Sequence, residues 1–348
     1  LQAIIRFSIR QKLLVGLFVL MMAAYGVFQF TRLPIDAVPD ITNNQVQVIT
    51  VAPSYGATDI ERLVTFSVEQ VMSNIPGIKE MRSFSRFGLS LVTIVFDDAT
   101  DVYWARQQVA ERLQRVQTVI PPGIGTPELG PVTTGLGEIY QYVVKPKPGY
   151  ESRYSSTDLR TIQDWMIRRS LLSVKGVAEV SSFGGKLKQY SIEVNPAALQ
   201  SHGIGIADVF QAVQGNNQNT GGAYIEKSAA VLYIRSEGLI SNPESIGLIR
   251  IKSLPDGSPL LIRDVATVKI DYATRYGALL YDHHPELAGA VVMMLKGANS
   301  NEVIRLVKEK IKLIQQTLPE GVVIEPFLDR TKMVNSAIGT VKQNLFEG

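Results

Sequence analysis

The 348-residue chain contains no cysteine. That excludes disulfides, thiolate metal sites and cysteine nucleophiles. Its three histidines leave little room for a histidine-based metal or acid–base centre, so a metal site would have to lean on carboxylates, whose hard oxygens suit several divalent ions. A dominant charge is also lacking. Thirty-five Lys and Arg against 32 Asp and Glu leave a dispersed net charge of +3, no footprint for nucleic acid. No nucleophile–base pair, phosphate loop or complete metal motif is found, so an enzyme ranks last among the readings.

Charge is wholly absent from Leu13 to Phe30. As a helix this run rises about 27 Å, close to the hydrocarbon thickness of a bilayer. Arg6, Arg10 and Lys12 precede it and Arg32 follows, a bias that holds the N-terminus in the cytoplasm. A cleavable signal peptide is the alternative, but its apolar core is shorter and ends in small residues, whereas this run ends Val27-Phe28-Gln29-Phe30-Thr31-Arg32. Pro34 and Pro39 in Leu33-Pro34-Ile35-Asp36-Ala37-Val38-Pro39-Asp40 force an extended exit. The remainder is expected outside the cytoplasm, tethered to the membrane. A start at Leu1 and a stop at Gly348 leave two expectations open: a fragment of a longer protein, or a truncated but complete product.

Beyond the exit, Gln45–Val51 alternates as a half-buried strand. Thr58 or Asp59 caps a helix carrying Ile60, Leu63, Val64, Val68, Val71 and Ile75. Ile78–Arg86 and Leu89–Phe96 read as strands joined at Gly88, Asp101 opens a second helix, and a short strand is expected near 128–132. This is the split βαβ, or ferredoxin-like, order.

The order then starts again, with strand 138–144, helix 158–172 and strand 177–183. Pro76-Gly77-Ile78-Lys79-Glu80-Met81-Arg82-Ser83-Phe84 matches Lys175-Gly176-Val177-Ala178-Glu179-Val180-Ser181-Ser182-Phe183, and Ile120-Pro121-Pro122-Gly123-Ile124 matches Leu318-Pro319-Glu320-Gly321-Val322. The second match lies far downstream, so the second unit holds an insertion. It resumes with strand 288–295, helix 299–317 and strand 322–327. The insertion reads as a small α+β unit: strand 189–194, helix 205–214, a polar run over 215–222, hairpin arms 223–226 and 230–235, and a turn at Pro255-Asp256-Gly257. The hairpin, with Tyr224, Glu226, Lys227 and Tyr233, is either a contact for a neighbouring subunit or an ordinary surface hairpin. Val334, Ile338, Val341 and Leu345 keep helical spacing, as in an amphipathic approach to a second span. The fold class is thus α+β: a transmembrane helix (1–32), a first ferredoxin-like unit (33–134), a second (135–184 and 275–328) split by an insertion (185–274), and a closing approach (329–348).

This order resembles the N-terminal third of the resistance-nodulation-cell division transporters, in the wording of their heavy-metal efflux branch. The residues that carry the resemblance are Leu33–Asp40, Arg82–Gly88, Asp101–Arg106, Gly135–Tyr140, Leu159–Trp165 and Asp329-Arg330. The resemblance implies a homotrimeric bacterial inner-membrane pump driven by protons, with most of this chain in the periplasm. The two ferredoxin-like units would be porter subdomains and the insertion part of a docking domain. The partners implied are a periplasmic adaptor protein, an outer-membrane channel and the lipid bilayer, and the hairpin near Lys227 would reach the next protomer. No cofactor is implied; the metal ion, of zinc, cobalt or cadmium type, is the substrate. The proton-relay carboxylates of the family fall outside this chain, which by itself cannot pump.

Glu138 follows a Gly-x-Gly turn and Asp164 lies on the next helix. The resemblance makes both cargo contacts in the porter cleft. The plainer alternative has Glu138 solvated and Asp164 in a helix ion pair with Arg160 or Arg168. Asp282-His283-His284 is a reserve metal set, though Pro285 beside it suits a turn better. Met293-Met294 points to opposite strand faces and reads as core, against a monovalent copper or silver site. Arg82 is either a cleft salt bridge or part of a solvated face. Two rival functions stand beside the metal pump: a membrane-tethered assembly module without transport, and a drug-type pump, against which carboxylates at the cleft positions speak.

Overall fold

The computed structural model describes residues 9–30, 42–53, 55–217, 220–227, 230–236, 238–275 and 277–347, with backbone alone at 27, 30, 220–227, 230–236, 337, 338, 341, 342, 345 and 346. The proline exit at 33–40 lies outside the described residues. By Cα proximity the chain divides into two compact units. One holds Leu1–Val143, Trp165–Ser182 and Ala290–Gly348, and the other Val144–Asp164 and Phe183–Gly289.

Lys12–Phe30 is a 19-residue helix, α1, with Leu17, Phe18, Met21 and other large apolar side chains exposed. Among the described residues no helix is long and apolar enough to cross a membrane. The expected span is therefore present as a helix without meeting that criterion; the side chains of Val27 and Phe30 within it are outside the described residues.

Strand β1 is Asn44–Val51. A continuous helix, α2, runs over 57–72 with a π-helical stretch at Glu61–Thr65. Strands β2 (Ile78–Arg86) and β3 (Leu89–Phe96) form a hairpin. Helix α3 (Val102–Val119) follows, capped by Asp101, whose carboxylate accepts the Trp104 amide. Strand β4 is only Pro127–Leu129, and the Gly130 N–H bond to the Gln47 carbonyl carries its pairing with β1 one residue further. The sheet order is β2-β3-β1-β4, antiparallel throughout. The alternation read in β1 is real: Val46 and Val48 are buried against Ile60, Val64, Val68, Ile94, Val109 and Val116.

The second βαββαβ set repeats this. It comprises β5 (Glu138–Pro146), helix α4 over 156–172, β6 (Val177–Gly184), and, after the insertion, β14 (His284–Met294), helix α9 (Ser300–Thr317) and β15 (Val322–Asp329). Strands pair in the order β14-β5-β15, with β6 also on β14. This is the first sheet's 2-3-1-4 order with one added strand, β13 (Leu279–Tyr281), on β14. The duplication holds in detail. Gly77 and Gly176, 99 residues apart, both take positive φ, as do Gly123 and Gly321, 198 apart. Asp101 and Asn299, also 198 apart, cap equivalent helices. Helix α4 begins two residues before the expected Asp158, because Ser155 and Asp158 form a capping box. It too contains a π-helical stretch, Gln163–Ile167.

Between β6 and β13 lies the insertion. Its elements are β7 (Lys188–Val194), α5 (Pro196–Ser201), α6 (Ile206–Asn216), β8 (Thr220–Lys227), β9 (Ala230–Ser236), α7 (Pro243–Gly247), β10 (Arg250–Ser253), β11 (Pro259–Leu261), α8 (Ile262–Val265) and β12 (Ala266–Tyr272). Strands β7 and β12 pair antiparallel, and a core forms around Val209, Ile246, Leu260, Ile262 and Val265. Of the polar run, residues 215–216 end α6 and 220–222 open β8, with 218–219 outside the described residues. The hairpin forms, with Tyr224 opposite Tyr233 and Glu226 opposite Val231; the side chains of Tyr224, Glu226, Lys227 and Tyr233 lie outside the described residues. Thr331–Glu347 closes the chain as helix α10.

Candidate functional site

Glu138 opens β5 and is exposed. The turn before it is built from several directions. Gly135 N–H donates to Thr42 Oγ1 at 3.2 Å, Gly137 N–H donates to the Thr134 carbonyl, and the Gly137 carbonyl accepts from Met294 N–H. A Cβ on Gly137 would stand 3.0 Å from the Thr134 oxygen, so a larger residue there would make the turn give by a few tenths of an ångström. Arg330 spans from the end of β15, its guanidinium donating to the Leu136 carbonyl and its amide to the Ile139 carbonyl. The Glu138 carboxylate itself accepts only from Gln141 Nε2, at 3.0 Å, among the contacts the structure records, and otherwise faces solvent.

Beside this turn, Asp329 receives Lys308 Nζ at 2.5 Å and the Thr331 amide at 3.0 Å. Burial pushes the Asp329 carboxyl upward, but Lys308 and the hydrogen bonds from Thr331 outweigh it and hold the group below the usual carboxylate range. Burial, with the Asp329 charge added, pushes the Tyr140 phenol up to about 12.

Asp164 sits in the π-helical stretch of α4. Its Oδ2 accepts from Arg160 Nε at 2.7 Å, and both side chains are about four-fifths buried. Arg160 Nη1 donates onward to the Gly184 carbonyl at 2.7 Å. Of the two arginines open to Asp164 in the sequence, Arg160 is the one that pairs; Arg168 reaches Glu179 at 2.8 Å and the Val180 carbonyl instead. The strand neighbour makes that choice, and helical spacing alone does not carry it. Glu138 belongs to the first compact unit and Asp164 to the second.

The reserve set comes apart. Asp282 (φ 56°) and His283 form a tight turn between β13 and β14, with Tyr281 opposite His284. His283 is fully exposed, 3.5 Å from Asp282. His284 turns instead to a pocket of about 300 Å³ shared with Glu151, Lys186, Arg275 and Glu286, where Arg275 pairs with Glu286. Among the described residues no three of His, Asp and Glu gather as a metal group. Arg82 makes an exposed 3.5 Å pair with Glu80 on its own strand, the solvated-face alternative. Sequence reasoning gave no role to Arg330 or to the Gly184 carbonyl, both of which hold the site through contacts between residues distant in the chain.

The family model for the AcrB/AcrD/AcrF family matches residues 4–348. Protein HelA of Legionella pneumophila is 46% identical over 350 residues, covering 100% of this chain and 33% of the relative. The cobalt-zinc-cadmium resistance protein CzcA of Cupriavidus metallidurans (strain ATCC 43123 / DSM 2839 / NBRC 102507 / CH34) is 44% identical over 351 residues, with the same two coverages. A crystal structure titled as a heavy metal efflux pump, crystal form II, superposes with a TM-score of 0.86 at 31% identity, covering 99% of this chain and 34% of the other. The chain thus spans about a third of the length of the relatives it matches. With sequence, repeated sheet order and superposition in agreement, the chain belongs to the AcrB/AcrD/AcrF family, in its heavy-metal branch.

Proposed function

We propose that this chain is the N-terminal portion of a proton-driven inner-membrane pump exporting divalent heavy-metal ions, of zinc, cobalt or cadmium type, by alternating access of a periplasmic porter cleft. The observation that carries the reading is 44% identity along the whole chain to a protein named for cobalt, zinc and cadmium resistance. Helix α1, apolar and with most of its described side chains exposed, is assigned as the bilayer anchor, and α10 as the approach to a further span. The two βαββαβ sets are read as ferredoxin-like porter subdomains, 33–134 and 135–184 with 275–328. The segment 185–274 is read as the docking insertion, which would meet an adaptor protein and an outer-membrane channel in a homotrimer. Its β8–β9 hairpin is the element assigned to the neighbouring protomer.

Glu138 and Asp164 are assigned as cargo contacts, completed by ligands from beyond this chain. A single carboxylate from this chain holds a dication loosely, which suits an ion that has to leave. Isothermal titration of the full chain in detergent with zinc, cobalt and cadmium tests this. Saturable heat is expected with at least one ion, and Glu138→Gln and Asp164→Asn should each weaken it about tenfold. Heat untouched by both changes would move the site elsewhere.

A further inference from the structure

The Asp164–Arg160 pair has a neutral counterpart in the same chain. Counting back 99 residues, Asp164 corresponds to Thr65 and Gly184 to Ser85; counting back 198, Ala288 corresponds to Ser90. In the first sheet unit Thr65 Oγ1 lies 2.7 Å from Ser85 Oγ and 2.8 Å from Ser90 Oγ, closing the space between helix and strands with three hydroxyls. In the second unit the strand hydroxyls are gone, and a mostly buried carboxylate and guanidinium occupy that place. The fold closes here without charge, so the ion pair is not a packing requirement. A buried pair brings a desolvation cost that its own attraction barely offsets, and since a π-helical stretch surrounds Thr65 and Asp164 alike, the helix deformation belongs to the repeat and only the charge is particular to the second unit.

Arg160 also faces the crossover into the insertion. Its Nη1 binds the Gly184 carbonyl, and its Cβ would stand 2.8 Å from a Cβ on Gly185. Gly184 and Gly185 both hold φ of 67°. The crossover is otherwise tied to the start of α4 by a long bond, Lys186 N–H to the Ser156 carbonyl at 3.4 Å.

We propose that Arg160 is a positioning residue that gates Asp164: it neutralises the carboxylate while no cation is bound, and yields it when a divalent cation arrives, loosening its hold on the Gly184–Lys186 crossover. This rests on the assignment of Asp164 as a cargo contact. The dication replaces the guanidinium as counter-charge, so the carboxylate is never left buried and alone. Cargo occupancy is thereby written into the strand that leads to the insertion.

The test titrates zinc chloride into the full chain in detergent, as wild type, Arg160→Gln, Arg160→Lys and Asp164→Asn, with thermal melts to establish folding. Removing the competing cation should tighten zinc about tenfold in Arg160→Gln, and Arg160→Lys should fall between it and wild type. Asp164→Asn should abolish the gain in either background. Zinc should speed hydrogen exchange of the 185–187 amides in wild type and leave it unchanged in Arg160→Gln, where it is already fast. If Arg160→Gln does not fold, Arg160→Lys decides: an unchanged affinity rejects the gate. Affinity within twofold of wild type in the Arg160 variants, with loss in Asp164→Asn, overturns the gate and leaves the metal reading standing. Binding indifferent to Asp164→Asn, or no saturable heat in any variant, overturns both.

Discussion

At the scale of single residues, the best-supported charge is Asp329. Its neighbours hold its carboxyl below the usual range in the folded state. A depressed acid contributes stability that is fully present above its unfolded value near pH 4 and is lost as pH falls through the lower, folded value. Asp329→Asn should therefore melt earlier at pH 7, losing about 1–2 kcal/mol as the charge paired with Lys308 goes and the bond from the Thr331 amide to Oδ1 becomes a neutral one. The gap from wild type should close as the pH is taken below the ordinary carboxylate range, as thermal melts across pH would record. The candidate site was half legible at this scale. Glu138 and Asp164 are readable as types and positions, and helical spacing narrows the partner of Asp164 to Arg160 or Arg168 without choosing between them. The assignment of Arg168 to Glu179 is not readable, because it depends on β6 lying beside α4, which no local spacing encodes. The Arg330 clamp is hidden for the same reason: Arg330 and Leu136 are 194 residues apart.

Among elements, the long periodic ones follow their sequence closely. Strands β2 and β3 have the bounds expected, and α3 and α9 begin one residue after Asp101 and Asn299, the residues expected to open them, which act as their caps; cap, apolar stripe and closing proline agree. Each cap should matter equally in its own unit. Asp101→Ala and Asn299→Ala should each cost about 1 kcal/mol, and the double variant close to the sum, measurable by urea unfolding. A double variant no worse than either single one would mean that one cap is idle. The insertion was less legible. Helices α5, α7 and α8 run four to six residues, too short for a periodicity to declare itself. Strand β12 takes its identity from pairing with β7, more than 70 residues earlier. Strand β14 runs four residues further toward its N-terminus than its apolar stretch suggests, because the turn at Asp282-His283 folds β13 back onto it.

On the scale of the whole molecule, the proposed anchor makes the chain a lipid-associated protein. The full chain should float with phosphatidylcholine vesicles in a density gradient, and deletion of residues 1–32 should leave it at the bottom. Equal flotation of the two would assign membrane affinity to another part of the chain. The cysteine-free sequence helps such work, since single cysteines for labels can be introduced without background.

The duplication also contains a spare part. Where the second unit leaves for the insertion after Gly184 and returns at Leu287, the first unit makes the same passage from Ser85 to Leu89 through Arg86, Phe87 and Gly88, with Arg86 paired to Leu89. Gly184 already abuts Leu279 and the Leu287 carbonyl, so the two cut ends lie at one seam. The chain therefore carries its own splice: the short β2–β3 turn, transplanted between Gly184 and Leu287, would rebuild the second sheet as the first was built. In architectural terms the insertion is a storey added through a doorway that the ground plan had already drawn closed.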